Sequence, residues 1–353
     1  MTLFAFWALA LAICSLGVLL RIEPRQSLVD AKSNHLVDSS LSSTSLTAIS
    51  LATTSLAAIN FTVPLRLPIF SLVFAALALV MALFASLLTA GAALWCALLL
   101  LLALWLNTSQ SSAIVRSVGF ILFALLALAG ALHLIPGFAN PLLVDAQLLT
   151  PDAIAYTLYA NFDKGWAGYC LLLAIWPNQN QHQNQHENQI AGPIQIARQT
   201  HSQHLASLYW RGFWPVWPLT VLAALGLALC LHLLQFVPKW PDFALQFIFC
   251  NLLLTCVAEE AFFRGLLQRP LYQWLSQRGF SDNQAAWCAI VVVSIIFGLA
   301  HLAGGFAYAL VATVASIGYG WAYHRSGRIE VAIVAHAALN VVHLTLFTYP
   351  MLG

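Results

Sequence analysis

Two adjacent glutamates, Glu259 and Glu260, interrupt one of the most apolar segments of the chain, and Arg264 follows four residues after the second. On an α-helix, residues four positions apart lie about 40° apart around the axis, which is the spacing of an ion pair. We therefore expect Glu260 and Arg264 to neutralise each other. Glu259 lies about 140° from Arg264 in the same projection, so it needs another partner and remains available for chemistry.

Three further polar side chains lie in apolar segments nearer the C-terminus. His301 is the second-last residue of the segment 291–302, while His336 and Asn340 are four residues apart and share one face of a helix over 330–348. Taken alone, each is more typical of helix packing than of chemistry. Together with Glu259 they suit hydrolysis, because a glutamate can remove a proton from water, a histidine can orient that water, and His and Asn donors can stabilise an oxyanion.

The same residue types also suit a metal site. A carboxylate and two histidines with an open position form a catalytic zinc ligand set, and Glu259, His301 and His336 supply those groups. The chain contains no HExxH motif. Residue types alone do not choose between the metal-free mechanism and the zinc mechanism.

The composition indicates where this chemistry takes place. Only 7% of the 353 residues are charged and 61% are hydrophobic, whereas a soluble domain has about 25% charged residues. No water-soluble fold hides that much apolar surface in one core, so we predict an all-α, polytopic integral membrane protein built as a helical bundle. Its basic residues are scattered singly, which predicts no nucleic-acid partner.

Apolar runs of about twenty residues predict transmembrane helices. Nine runs have about this length, and a tenth, 165–176, is too short by itself, so we predict about ten spans, or nine if 165–176 does not span. The predicted spans are 3–20, 69–88, 90–106, 117–135, 165–176, 216–237, 243–263, 285–302, 306–323 and 330–348.

The basic residues favour ten spans with the N-terminus outside. In that arrangement the inner connections hold all fourteen lysines and arginines except Lys164 and Lys239, as the positive-inside rule requires. Without the 165–176 span the basic residues are distributed over both sides of the membrane, contrary to that rule. Asp163 and Lys164 then lie in an outer connection, where we expect an anchoring role or a contact with substrate and assign them no part in the chemistry.

Three short motifs occur in a fixed order: EEAFFR at 259–264, FGLAH at 297–301 and HAALN at 336–340. With these EExxxR, FxxxH and HxxxN patterns, the chain resembles the CPBP intramembrane proteases, the group of type II CAAX prenyl endopeptidases and Abi proteins. The resemblance covers about 243–345. We therefore divide the chain into an N-terminal membrane region of unassigned role, 1–240, with a polar low-complexity loop at 178–204, and a catalytic membrane domain, 241–353.

The resemblance implies roles for the motif residues. The implied catalytic residues are Glu259, His301, His336 and Asn340, and the implied supporting residues are Glu260, Arg264 and Phe297. Glu259 would activate a water with the help of His301. His336 and Asn340 would stabilise the oxyanion. The family has been described both as metal-dependent and as metal-free, and we favour the second mechanism, which needs no cofactor; a divalent metal such as zinc stays open as the alternative.

The resulting hypothesis is an endopeptidase of a bacterial inner membrane that hydrolyses a peptide bond in a membrane-embedded or lipidated substrate. We expect its active site to open towards the cytoplasm. Prenylated substrates are not carried over, because the family also contains bacteriocin-immunity members. The alternative hypothesis is a non-catalytic membrane protein, such as an immunity factor or a carrier, that keeps the polar cluster for binding or packing.

The depth of His301 conflicts with a simple arrangement of the spans. It lies about 25 Å along its span at 1.5 Å per residue, whereas Glu259 and His336 fall in the inner half of the bilayer. We therefore expect the connection 303–305 to stay buried inside the protein, which would bring His301 to the same depth as the other two.

Overall fold

The computed structural model describes residues 2–22, 69–108, 111–175, 210 and 212–353, and these residues form ten long helices and one β-hairpin. The predicted low-complexity loop at 178–204 lies outside the described residues. The helices are α1 (Thr2–Ile22), α2 (Ile69–Phe84), α3 (Ala90–Thr108), α4 (Ala113–Ala131), α5 (162–175), α6 (Trp217–Cys230), α7 (Ala244–Gln277), α8 (Asp282–Ala300), α9 (Phe306–Ser326) and α10 (Ile329–Leu346), and the strands are β1 (Leu142–Gln147) and β2 (Tyr156–Tyr159).

This architecture confirms the predicted all-α membrane bundle, with one helix at each predicted span. Five of the helices, α3, α4, α7, α8 and α10, are long and apolar enough to cross a membrane. The described apolar parts of α1, α2 and α6 are shorter, and α5 covers only 162–175. The protein is therefore an integral membrane protein, while the number of crossings, ten or nine, stays a prediction.

A cap covers one end of the bundle. We use this name for the β-hairpin connection 132–161, the α6–α7 connection 231–243 and the C-terminal residues 347–353. Backbone bridges hold the three segments together, with Phe236 opposite Phe347 and Ala153 opposite Leu352. The strands β1 and β2 are antiparallel with an irregular register.

Aromatic rings fill the space under the cap. Tyr156 of β2 stacks on Phe243 and meets Tyr349 edge-on, with ring centroids 5.8 and 4.9 Å apart. Burial raises the pKa of the Tyr156 hydroxyl to about 12, so this tyrosine stays neutral in the physiological range. Phe247 of α7 and Leu344 of α10 belong to the same hydrophobic cluster as Phe243 and Tyr156, so the cap packs against both helices.

The opposite end of the bundle carries the arginines, and we call it the arginine end. Arg278 follows α7, Arg325 lies in the last turn of α9, and Arg328 lies in the α9–α10 connection. Helix α1 begins near the cap, because Phe6 packs edge-on against Phe162 at the start of α5, with ring centroids 5.7 Å apart. The helix ends therefore alternate between the two faces as the ten-span arrangement requires.

The main hydrophobic core does not stop at the predicted boundary near residue 240. It joins Leu9 of α1 and Trp166 of α5 with Leu254 and Val257 of α7 and Ile333 of α10. The N-terminal helices and the motif-bearing helices thus pack as one body. The division into 1–240 and 241–353 stays a prediction about function.

Helix α7 carries the two glutamates on a short α-helical segment, Val257–Glu260, between two π-helical segments, Cys250–Cys256 and Ala261–Gln268. A π-helix places extra residues in each turn, is rare, and is frequent at functional sites. The π segments change the directions in which side chains on either side of the glutamates point. A constant rotation of about 100° per residue therefore describes α7 only over short distances.

Helix α5 lies directly against this part of α7. A Cβ atom on Gly168 would stand 2.9 Å from the Cα atom and 3.0 Å from the backbone nitrogen of Ala258, and backbone atoms cannot move aside as a flexible side chain can. Small residues of this kind let membrane helices approach closely. Gly168 therefore sets the distance between α5 and the residue that precedes Glu259.

The expectation that the connection 303–305 is buried inside the protein is wrong. His301 ends α8, a short turn covers Leu302–Gly304, and Gly305 has a φ of 93°. Glycine adopts such a positive φ without steric cost, which lets the chain reverse at once into α9. Ala303 and Gly305 are exposed at the protein surface, while His301 itself is only partly exposed.

We predict that Gly168→Leu destabilises the fold by about 1–3 kcal/mol, the usual range for overpacking a tight contact. The measurement is thermal unfolding of the detergent-purified protein. Gly226→Leu in α6 is the matched control, because a Cβ atom there meets no other atom within 4 Å and both changes add the same helix-favouring residue. Equal melting temperatures for the two variants would contradict the close contact between α5 and α7.

Candidate functional site

A cavity of about 210 Å³ lies beneath the cap, between α6, α7, α8, α9 and α10. Its wall includes all of the predicted catalytic residues, Glu259, His301, His336 and Asn340, together with the supporting Phe297. Side chains that are up to 81 positions apart in sequence thus line one cavity. Their catalytic roles stay a prediction.

Glu260 and Arg264 form the ion pair that their spacing predicts. Both side chains are fully buried, and the Arg264 Nε donates to the Glu260 Oε2 at 2.7 Å. The Arg264 Nη1 donates to the Gln268 Oε1 at 3.0 Å and its Nη2 to the Ser316 Oγ at 2.7 Å. A buried ion pair is tolerated only when hydrogen bonds of this kind satisfy its remaining groups, so this network fixes α7 against α9.

His336 is oriented by the same ion pair. Its Nδ1 lies 2.8 Å from the Glu260 Oε1, and because an ionised carboxylate only accepts hydrogen bonds, Nδ1 carries a proton. The Tyr319 ring stacks on the imidazole, with centroids 4.4 Å apart and planes 14° apart. This arrangement directs Nε2 towards Glu259, whose Oε2 is 4.0 Å away.

His301 is oriented by the backbone of its own helix. Its Nδ1 lies 2.7 Å from the carbonyl oxygen of Phe297. A carbonyl oxygen only accepts, so Nδ1 donates and Nε2 is the acceptor of the neutral ring. The Phe297 ring stacks on His301 at a centroid distance of 4.5 Å and meets His336 edge-on at 5.9 Å. Phe297 therefore packs against both histidines, in line with its predicted supporting role.

Asn340 makes long polar contacts with the first π-helical segment of α7. Its Nδ2 donates to the Asn251 Oδ1 at 3.3 Å and lies 3.9 Å from the Cys256 Sγ. Asn251 also lines the cavity, although the sequence reasoning assigned it no role. The available signal was an asparagine in an otherwise apolar segment, since a polar group in a membrane helix usually has a partner or a function.

The partner that Glu259 needs is Lys164. The Lys164 Nζ donates to the Glu259 Oε1 at 2.7 Å, and the two side chains are 16% and 18% exposed. Placing Lys164 outside the site was therefore wrong, because α5 begins at 162 and runs beside α7. An aspartate–lysine pair at the start of an apolar segment was the available signal, since ionisable groups at membrane depth need partners.

Asp163 does not neutralise the neighbouring ammonium but fixes the first turn of α5. The His133 Nδ1 lies 2.7 Å from the Asp163 Oδ2, and the Asn140 Nδ2 donates to its Oδ1 at 3.0 Å. The backbone N–H of Lys164 also donates to that Oδ1, at 2.8 Å. The carboxylate is 1% exposed, so it ties α5 to the β-hairpin connection and confirms an anchoring role for Asp163.

The alternative zinc site does not assemble. Among the residues that the structure describes, no group of three or more His, Cys, Asp and Glu side chains could hold a metal ion. An ammonium group contacts Glu259 where a metal would need a free carboxylate. The donors of Glu259, His301 and His336 therefore do not fit zinc.

The segment that contains the three motifs matches a known family. Residues 240–342 match the family model described as type II CAAX prenyl endopeptidase Rce1-like, which confirms the resemblance to the CPBP proteases and supports a CAAX-type intramembrane protease family. A comparison with curated proteins and with solved structures gives no match. The matched segment includes every predicted catalytic residue and leaves out Lys164.

We predict that Arg264→Leu destabilises the fold by about 3–5 kcal/mol, because it leaves the buried Glu260 without its cation. Thermal unfolding in detergent measures this effect. Arg278→Leu is the control, since Arg278 is exposed and its guanidinium lies over the Trp274 ring at 5.0 Å. A loss of stability of the same size in both variants would show that the buried network contributes nothing beyond an ordinary surface arginine.

Proposed function

We propose that the protein is an intramembrane endopeptidase in which Glu259 activates a water to hydrolyse a peptide bond of a membrane-associated substrate. The observation that carries the proposal is the unequal use of the two glutamates. Both oxygens of Glu260 are bound, one by Arg264 and one by His336. Glu259 lines the cavity, and its Oε2 is directed towards the Nε2 of His336. The match of 240–342 to an endopeptidase family supports the same conclusion.

The gap between Glu259 and His336 suits a water molecule. A distance of 4.0 Å between Oε2 and Nε2 is too long for a direct hydrogen bond, but one water can lie about 2.8 Å from both atoms. Glu259 would take a proton from this water while the oxygen of the water attacks the carbonyl carbon of the substrate. His301 can accept the second proton of the water in a hydrogen bond, because its Nδ1–H is held by the Phe297 carbonyl and its Nε2 is left as an acceptor.

The remaining polar groups suit the charge that then develops. As the water oxygen bonds to the carbonyl carbon, the carbonyl oxygen becomes an oxyanion, which the Nε2–H of a protonated His336 and the Nδ2–H of Asn340 would stabilise. The carboxylate of Glu260 at 2.8 Å favours that protonated ring. The proton taken by Glu259 then goes to the leaving nitrogen as the carbon–nitrogen bond breaks.

The cavity walls favour an apolar substrate segment. Away from the polar cluster they consist mainly of small and aliphatic side chains, among them Ala224, Leu225, Ala228, Val311, Ala315 and Leu339. Such a surface accepts aliphatic side chains or a lipid chain and offers few partners to charged residues. We therefore propose a membrane-embedded or lipidated peptide as the substrate class.

The position of the cap supports a proposal for the side of the membrane from which substrate arrives. Leu233, Tyr349 and Met351 line the cavity, so the cavity lies at the cap end, where the N-terminus also begins. The cavity and the first residues of α1 thus lie at the same end of the bundle, whereas the sequence analysis placed the N-terminus outside and the opening in the cytoplasm. The cap exposes acids, including Asp145 and Asp152, and the opposite end exposes arginines, so the positive-inside rule leads us to propose that the cavity faces away from the cytoplasm.

This orientation predicts the behaviour of reporters fused after residue 353 in a bacterial host. Alkaline phosphatase, which matures outside the cytoplasm, should be active, and green fluorescent protein, which folds in the cytoplasm, should be dark. The two reporters control for each other because they respond in opposite ways. A fluorescent fusion with inactive phosphatase would place the cap in the cytoplasm and restore the cytoplasmic opening.

The central prediction is that Glu259→Gln reduces peptide hydrolysis by about 100-fold or more, because a neutral amide of the same shape cannot remove a proton from water. The assay uses proteoliposomes and a quenched fluorescent peptide in farnesylated and unmodified forms, beside a comparison of membrane-protein fragments in cells with either variant. Glu330→Gln, at the opposite end of the bundle, is the control for loss of a glutamate. Unchanged hydrolysis in Glu259→Gln would overturn the role of Glu259 as the base, and no hydrolysis by the wild-type protein would favour the non-catalytic alternative.

A further inference from the structure

We propose that Lys164, which lies outside the matched segment, is a positioning residue that holds the Glu259 carboxylate in place and keeps it ionised in the cavity. This inference rests on the proposed function and adds to it a residue from the N-terminal helices. The contact itself is a charge-assisted hydrogen bond of 2.7 Å between Nζ and Oε1. Bonds of this type are about twice as strong as those between neutral groups.

The surroundings of Glu259 explain why it needs this ammonium. An ionised carboxylate at membrane depth is strongly unfavourable when nothing compensates its charge. The other titratable groups around it are His301, His336, Tyr308, Tyr319, Cys256 and the adjacent Glu260. In the described part of the chain, the lysine or arginine side chain that contacts Glu259 is that of Lys164. The nearby Arg264 is paired with Glu260 instead.

The backbone of Lys164 is fixed, so its ammonium group has a defined position. Asp163 is buried and bound by His133 and Asn140, and four residues after Lys164 the backbone of Gly168 meets that of Ala258. These contacts hold both ends of the first turns of α5. Because its backbone is fixed, the Lys164 side chain can hold the Glu259 carboxylate in one position.

The contact also divides the work between the two oxygens of Glu259. Oε1 accepts the bond from Lys164, whereas Oε2 faces the Nε2 of His336 at 4.0 Å. The oxygen that would take the proton from water is thus the one that the lysine leaves free. Without the lysine, the carboxyl group can rotate, and it takes up a proton more readily because no cation opposes protonation.

The first experiment compares Lys164→Met and Lys164→Arg in the proteoliposome assay from about pH 5 to pH 9. Methionine keeps the length of the side chain but not its charge, so we expect kcat at neutral pH to fall about tenfold or more with little change in KM. Activity should recover as pH rises, because Glu259 then loses its proton only at higher pH. The Lys164→Arg variant should keep most of the activity and the wild-type pH profile.

Lys239→Met is the matched control for the loss of a lysine. The Lys239 ammonium contacts the backbone carbonyls of Val237 and Phe347 in the cap, so its removal should leave the shape of the pH profile unchanged. A wild-type kcat and pH profile in Lys164→Met overturns the inference while leaving the proposed function intact. Full activity in Glu259→Gln instead overturns the proposed function.

A second experiment does not depend on activity. Thermal unfolding is measured for Lys164→Met, Glu259→Gln and the double variant, which isolates the interaction between the two side chains. We expect Lys164→Met to lower the melting temperature in the wild-type background and to have little effect when Glu259 is already a glutamine. Equal effects in both backgrounds would show that Lys164 stabilises α5 by itself and does not act on Glu259.

Discussion

A carboxylate remains charged inside an apolar helix bundle only when cations or hydrogen-bond donors compensate it, and this chain places two of them side by side. The structure meets the requirement twice, with different partners. Glu260 is bound by an arginine on its own helix and by His336, whereas Glu259 is bound by a lysine from a distant helix. The arrangement of α5, α7, α9 and α10 depends on these contacts, because each of those helices contributes a group to them.

The two glutamates therefore differ in what they leave free. All of the groups around Glu260 are buried and satisfied by one another, which makes the ion pair a rigid part of the packing. Glu259 has one oxygen engaged and one directed across a gap of 4.0 Å. The rigid ion pair of Glu260 thus lies next to a carboxylate that has one free oxygen. Functional side chains are commonly held in position by packed and hydrogen-bonded neighbours of this kind.

The sequence predicted much of this site because its signals are local. The spacing of Glu260 and Arg264 within one helical turn is enough to infer their ion pair, and the motifs place His301, His336 and Asn340 on neighbouring helices. Apolar runs located each helix. Lys164 could not be found in this way, because its contact joins residues 95 positions apart and depends on the close approach of Gly168 to Ala258. The exposed connection after His301 and the position of the cavity beneath the cap also follow from tertiary packing.

Helix α7 has one further consequence, which comes from its length. Its 34 residues extend over about 50 Å, whereas the hydrocarbon layer of a bilayer is about 30 Å thick. The helix must tilt or project from the membrane, and the exposed Trp274 beside Arg278 is typical of a segment at the lipid headgroups. Because Glu259 lies near the middle of this helix, hydrophobic mismatch sets its depth. Acyl-chain length would then act on the proposed base directly, so thick and thin bilayers would present different parts of a substrate to the same carboxylate.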